Sequence, residues 1–213
     1  MRKAFEIGGL VAAVVLVAFG VTAIVMGFNG RDTVQSSLKQ EAIVGTPDMT
    51  KTTIAAEAKK AGLPASIKLP TADIAGKPIT NGKLAREFAT YMRIHTLMAT
   101  GGQTYAEMPR FATADGKGTN DPTKALTSKG QPVDNAARSI WVTETALTTA
   151  LNSSYMAEQL SVFGIVVGFA LLLTGVGFAV LSIGGALRNP DWAFGAHAQT
   201  SGSTSKAPVV PVA

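Results

Sequence analysis

Two stretches of the chain, Ile7–Phe28 and Val162–Leu187, contain no charged residue over 22 and 26 positions. No other feature constrains the fold as strongly. At the rise of an α-helix, 22 residues reach about 33 Å, enough to cross a hydrocarbon core about 30 Å thick. Lipid offers the backbone no hydrogen bonds, so an apolar segment in a bilayer satisfies its own amides as a helix. Charged residues make up 15% of the chain, against about 25% in soluble domains. The shortfall lies in these two blocks, while the middle is polar. This pattern argues against a single water-soluble domain. The competing reading of the first block is a signal peptide cut after Val21-Thr22-Ala23. The apolar run is longer than the roughly 7–15 residues of a signal core and continues past that site, which favours a retained span.

Two spans place both termini on the same side. Arg2, Lys3 and Arg188 flank them closely, and positive charge near span ends favours the cytoplasm. The expected organisation is a cytoplasmic N-terminus (1–6), a first transmembrane helix (7–28), an extracytoplasmic helical domain (29–161), a second transmembrane helix (162–187) and a disordered cytoplasmic tail (188–213). The fold class is mainly α: two transmembrane helices flanking an extracytoplasmic bundle-like domain in a plasma membrane. The domain holds 15 Lys and Arg against 12 Asp and Glu, with no basic run. The high pI is therefore a small surplus on a mixed surface, and no nucleic acid is expected as a partner. The absence of cysteine excludes a disulfide framework, thiolate metal sites and a cysteine nucleophile.

The middle segment reads as helices. Thr50 or Thr53 can cap KTTIAAEAKKAG, which ends at Gly62 and Pro64. Residues 66–79, with Pro70 and Pro78, read as an irregular connection. Asn81-Gly82 opens a helix closed by Gly101-Gly102. Leu84, Phe88, Tyr91, Met92, His95 and Met98 or Ala99 fall on one stripe of it. Residues 112–132 are rich in Gly, Pro, Asp and Asn and read as a flexible loop. A last helix begins near Asp134 or Asn135 and enters the second span, with Ile140, Leu147, Leu151 and Leu160 facing inward and Val142 or Met156 beside them. Asn29-Gly30 reads as an interruption after the first span, with 32–42 as a helical extension. In the tail, Trp192 suits a membrane interface.

Candidate sites are few. His95 is the only histidine between the spans. A metal would need carboxylates such as Glu87, Glu107 or Glu144 beside it, and a packed or hydrogen-bonded side chain is the simpler expectation. Asp115–Asp121 has the flavour of a calcium loop, but Lys117 holds a ligand position and the closing Glu is missing. No catalytic residue, metal or cofactor is expected. The spans carry the stronger signal. Gly8 with Ala12, Ala23 with Gly27, and Gly164 with Gly168 form small-xxx-small pairs, and Gly175 follows one heptad later. Small residues let helix backbones approach closely in lipid. Neither span has an ionisable residue in its interior, which weighs against a proton relay or transporter.

Four stretches, IVGTPDMT (43–50), AAEAKKAGLPASIKLP (55–70), YMRIHTLMATGG (91–102) and IWVTETALTTALNSSYMAEQLS (140–161), together with both spans, resemble a family of uncharacterised actinobacterial two-span membrane proteins. Its members often bear the automatic label of aromatic ring-opening dioxygenase. The resemblance runs from Met1 to about Leu187. It implies a two-span topology in a Gram-positive envelope and no activity. Ring-opening dioxygenases need an iron site of His and carboxylate ligands, which a single external histidine does not supply, so the label is set aside.

The expectation is a non-enzymatic membrane protein that serves as an accessory or scaffolding subunit of an envelope complex or as a homo-oligomer. Its partners would be the bilayer and a membrane protein or further copies of itself. The alternatives are an extracytoplasmic sensor with a separate signalling partner, and an oligomeric two-span channel.

Overall fold

A computed structural model describes residues 2–184. Arg188, Trp192, His197, the last three residues of the expected second span and the tail lie outside the described residues. The chain is mainly helical: α1 (Arg2–Gln40), α2 (Lys51–Lys60), α3 (Gly82–Ala99), a 3-10 turn (Pro122–Lys124), β1 (Thr127–Ser128), β2 (Gln131–Pro132) and α4 (Ala136–Ile183). It divides into two compact units. One takes in the described residues up to Val21 and from Ala170 onward, and the other is Thr22–Phe169.

The helix ends follow local chemistry. Thr50 caps α2 by accepting from the Thr53 amide, and Asn81 caps α3 by accepting from the Leu84 amide. Asn135 accepts from the Ala137 amide at the start of α4. Such side chains satisfy amides that a helix leaves unpaired at its first turn. After α3, Gly101 and Gly102 both take positive φ, which ends the helix where a β-carbon would be strained. α1 passes through Asn29-Gly30 without the expected break. The Asn29 carbonyl accepts from the Thr33 hydroxyl, and Gly30 lies against Ser161 of α4.

In Thr22–Phe169 the core forms around α3. Ile54, Ile74, Tyr91 and Ile94 are fully buried, and Leu38 from α1 and Leu151 from α4 close the cluster. Each such side chain contributes about 1.5–3 kcal/mol by leaving water. The segment after α1 is bridged to the connection before α3, Val44 to Pro78 and Gly45 to Ala75. A β-carbon on Gly45 would collide with the Ile74 carbonyl, which explains the glycine. The expected stripe on α3 holds at Phe88 and Tyr91, which are buried, and is turned elsewhere. Ala85, Ala89 and Ile94 are also buried, Leu84, Met92 and Met98 pack at the margin, His95 is half-buried and Ala99 is exposed.

On α4 the expected inward face holds at its middle, where Leu151 is buried and Leu147 packs against the core, and fails at its ends. Ile140 and Leu160, with Val142 and Met156, are exposed, while Trp141, Glu144 and Glu158 are buried. Polar partners on neighbouring elements make the two carboxylates compatible with burial, as described below. Trp141, Met108 and Phe111 are buried outside that cluster, and the Trp141 indole donates to the Gln103 carbonyl at 3.0 Å. Residues 112–132 carry no long element but are organised by hydrogen bonds. Phe111 bridges to Thr119 and Asp134, and β1 pairs with β2 as a short antiparallel hairpin.

The apolar parts of α1 and α4 pack the other way round. Ala13, Gly20 and Gly27 are buried at heptad spacing on α1, and Gly168, Gly175 and Ser182 on α4. Phe5, Ile7, Phe19, Met26, Phe163, Val166, Leu173 and Ile183 point outward. Both helices are long and apolar enough to cross a membrane.

Candidate functional site

The small residues singled out in the sequence take different positions. In the unit containing both ends of the described chain, Gly175 faces α1. A β-carbon there would lie 2.8 Å from Val17 Cγ2 and 3.0 Å from the Ala13 carbonyl oxygen. In Thr22–Phe169, a β-carbon on Gly27 would lie 2.5 Å from Ile165 Cγ1 and 2.7 Å from the Ser161 carbonyl oxygen. A β-carbon on Gly164 would meet the Ala23 carbonyl oxygen at 3.8 Å, an ordinary contact. Gly168 is buried, and Ala12 and Ala23 are half-buried. A β-carbon on Gly8 would meet nothing within 4 Å among the described residues. In Thr22–Phe169 the α1 and α4 segments run antiparallel, since Ala23 lies near Gly164, Gly27 lies against Ser161 and Ile165, and Arg31 meets Glu158. Buried small residues seven apart, such as Ala13 and Gly20 on α1 or Gly175 and Ser182 on α4, have the spacing of left-handed helix pairs.

A buried carboxylate joins three helices at one end of the domain. Glu158 of α4 accepts from the Gly82 amide at 2.6 Å, Gln35 Nε2 at 3.0 Å and Arg31 Nε at 3.3 Å. The Gly82 amide lies at the start of α3, where the helix dipole favours negative charge. Gly82 must be small here, since its β-carbon would lie 2.7 Å from Tyr155 Cα. A carboxylate leaves water at a severe cost unless charge and donors compensate it. Glu144 is held in the same manner by Arg93, at 3.4 Å, whose guanidinium also lies 4.2 Å from the Trp141 ring centre.

The carboxylates named as possible partners of His95 are engaged elsewhere. Glu87 accepts from the Thr71 amide and hydroxyl. Glu107 accepts from the Thr104 amide and hydroxyl, and these bonds lower its pKa. Glu144 is on Arg93. His95 is instead beside Asp48 and Glu57, whose ligand atoms all lie within 4.8 Å of one another and of the imidazole. Asp48 stands in the turn before α2, Glu57 on α2 and His95 on α3, so packing of α2 against α3 assembles the group. His95 Nε2 is 3.0 Å from Asp48 Oδ2. Nε2 is buried, and the contact is poorly aligned for a hydrogen bond. The Asp48 carboxyl is held below its ordinary value, chiefly by the Thr46 side chain. Burial opposes that shift, and His95 adds to it.

The calcium-like loop uses its oxygens locally. Asp115 accepts from the Thr113 hydroxyl and the Lys117 amide, and Asp121 caps the 3-10 turn through Thr123. An open groove of about 460 Å³ runs between α3 and α4, lined in part by Lys68, Arg86, Arg93, Glu144 and Asn152. Arg86 also stacks on Tyr155, 4.6 Å from the ring centre. No family model, curated protein or solved structure matches this chain.

Proposed function

We propose that the chain is a non-enzymatic integral membrane protein that acts as an accessory or scaffolding subunit of a cell-envelope complex or as a homo-oligomer. In this reading α1 and α4 cross the plasma membrane, residues 29–161 lie outside, and both termini are cytoplasmic. The observation that carries it is the reversed packing of the two apolar helices. Glycine and alanine occupy their mutual seam, and Phe19, Met26, Phe163 and Leu173 face outward. Water penalises such a surface, whereas lipid or another membrane helix covers it. The basic residues Arg2, Lys3 and Arg188 support cytoplasmic termini.

The groove between α3 and α4 favours a second reading, an extracytoplasmic receptor, because it offers mixed charge in a concave surface.

Two measurements test the first reading. The chain has no cysteine, so single cysteines report topology cleanly. A cysteine at Ser128 should react with a membrane-impermeant maleimide on intact cells, and one at Ser203 should react only after lysis. Labelling of both on intact cells would overturn the topology. Mild-detergent extraction followed by native mass determination should return a hetero-complex or a homo-oligomer of defined size. A monomer with no companion chain would sink the subunit reading.

A further inference from the structure

We propose that Asp48, Glu57 and His95 form a binding site for a divalent first-row transition-metal ion. Three elements that are distant in sequence bring one imidazole nitrogen and two carboxylates together, with all ligand atoms within 4.8 Å of one another. A metal with bonds of about 2.1 Å sets its ligands about 3.0 Å apart when they are adjacent in an octahedron and about 4.2 Å apart when opposite. The 3.0 Å between His95 Nε2 and Asp48 Oδ2 fits the adjacent case.

The independent observation is the state of Nε2. It is buried and lies 3.0 Å from Asp48 Oδ2, but the contact is poorly aligned for a hydrogen bond, whereas native structures pair nearly all such atoms in good geometry. A cation held between the nitrogen and the carboxylates accounts for that misaligned contact without moving the ring. Among the described residues, nothing donates a hydrogen bond to the Glu57 carboxylate, which leaves its oxygens available. Two carboxylates also neutralise the charge of a divalent ion.

The donor set decides the class of ion. Imidazole suits zinc, copper, iron and nickel, whereas calcium and magnesium prefer oxygen alone. All three side chains are only partly buried, so the remaining coordination positions face water. The site therefore suits a bound ion with open positions. Because it ties the turn at Asp48 to α2 and α3, occupancy would also brace the domain.

The test uses the full chain in detergent, freed of metal with a chelator and then dialysed against Zn²⁺ alone. One zinc per chain is expected, with a raised melting temperature that Ca²⁺ at the same concentration does not produce. His95→Gln and Glu57→Gln should each weaken binding at least tenfold and abolish the thermal shift. Glu57 is only partly buried and accepts no hydrogen bond among the described residues, so its variant preserves the fold if His95→Gln does not, and circular dichroism checks both. His197→Asn, which removes the other histidine, should leave binding unchanged. Failure of the full chain to retain zinc would overturn the proposal. So would retention that survives Glu57→Gln, or loss in His197→Asn alone.

Discussion

In the domain Ile54, Ile74, Tyr91 and Ile94 have no exposed surface, whereas in the apolar helices Phe19, Leu173 and Ile183 stand 66%, 69% and 79% exposed and small residues such as Ala13 and Gly175 are buried. One region puts large side chains inside and the other puts them outside. The domain gains its stability by removing apolar surface from water. Under the membrane reading, the helix pair gains nothing from that term, because lipid tails are as apolar as leucine. What remains for the pair is close backbone contact, which glycine at 27 and 175 permits. The two regions should therefore respond oppositely to the same kind of substitution.

The largest expected effect lies in the domain core. Ile94→Ala should cost the domain about 2–5 kcal/mol, the range for emptying a packed aliphatic site. A thermal or denaturant melt followed by the near-ultraviolet signal measures it. A cost below about 1 kcal/mol would mean that the site collapses freely, unlike a packed core.

That core was only partly legible in the sequence. Capping residues, glycine stops and helical periodicity located α2, α3 and α4, because those signals act within a few residues. The rotation of α3 was less readable, since Ala85 and Ala89 look neutral until a neighbour approaches closely enough to need them. Glu144 and Glu158 carried no inward signal, because their burial depends on Arg93, Arg31, Gln35 and the Gly82 amide, which lie far off in the chain. His95 was visible as a candidate, but its companions were not. Asp48 and Glu57 join it only through the packing of α2 on α3, and no short motif encodes that. In the apolar segments the small-residue pairs were readable as a set. Which of them touch was not, and a β-carbon on Gly8 would meet nothing among the described residues.

The Glu158 junction sharpens the comparison, because it is a polar site within the region that packs by exclusion of water. Glu158→Ala would strand the Gly82 amide and the Gln35 side chain, at about 1–3 kcal/mol. Glu158→Gln keeps one carbonyl acceptor, but its NH2 then faces either the Gly82 amide or the Gln35 and Arg31 donors, so it should recover only part of that loss. Equal melts for the two variants would remove the hydrogen-bonding role of this residue.

Tyr91 gives a pH signature confined to the domain. Burial, followed by the nearby Asp73 and Glu87 carboxylates, pushes its phenol up to about 12, and its hydroxyl donates to the Ala72 carbonyl at 3.1 Å. The folded state favours the neutral phenol, while the unfolded chain ionises near 10. The contribution is thus intact below pH 10 and is lost as pH rises from 10 towards 12, at no more than about 1.4 kcal/mol per pH unit. A difference titration at 295 nm against Tyr91→Phe isolates this group. A phenol titrating near 10 would show that the hydroxyl reaches water.

The smallest effect is the most diagnostic one. Leu173→Ala removes a large side chain, as Ile94→Ala does, but from an outward face. If lipid or detergent covers that face on both sides of the equilibrium, the change should stay within about 0.5 kcal/mol. Gly175→Leu, two residues along, adds bulk to the seam against Val17 and Ala13 and should cost about 1–3 kcal/mol through overpacking. Spin labels at Val14 and Leu173, both exposed, would then report a longer or broader separation, while the domain melt stays unchanged. A marked loss from Leu173→Ala would break the contrast in an informative way. It would mean that protein covers this face, either a second copy of the chain or the partner subunit, and native mass determination on the variant would tell which one leaves.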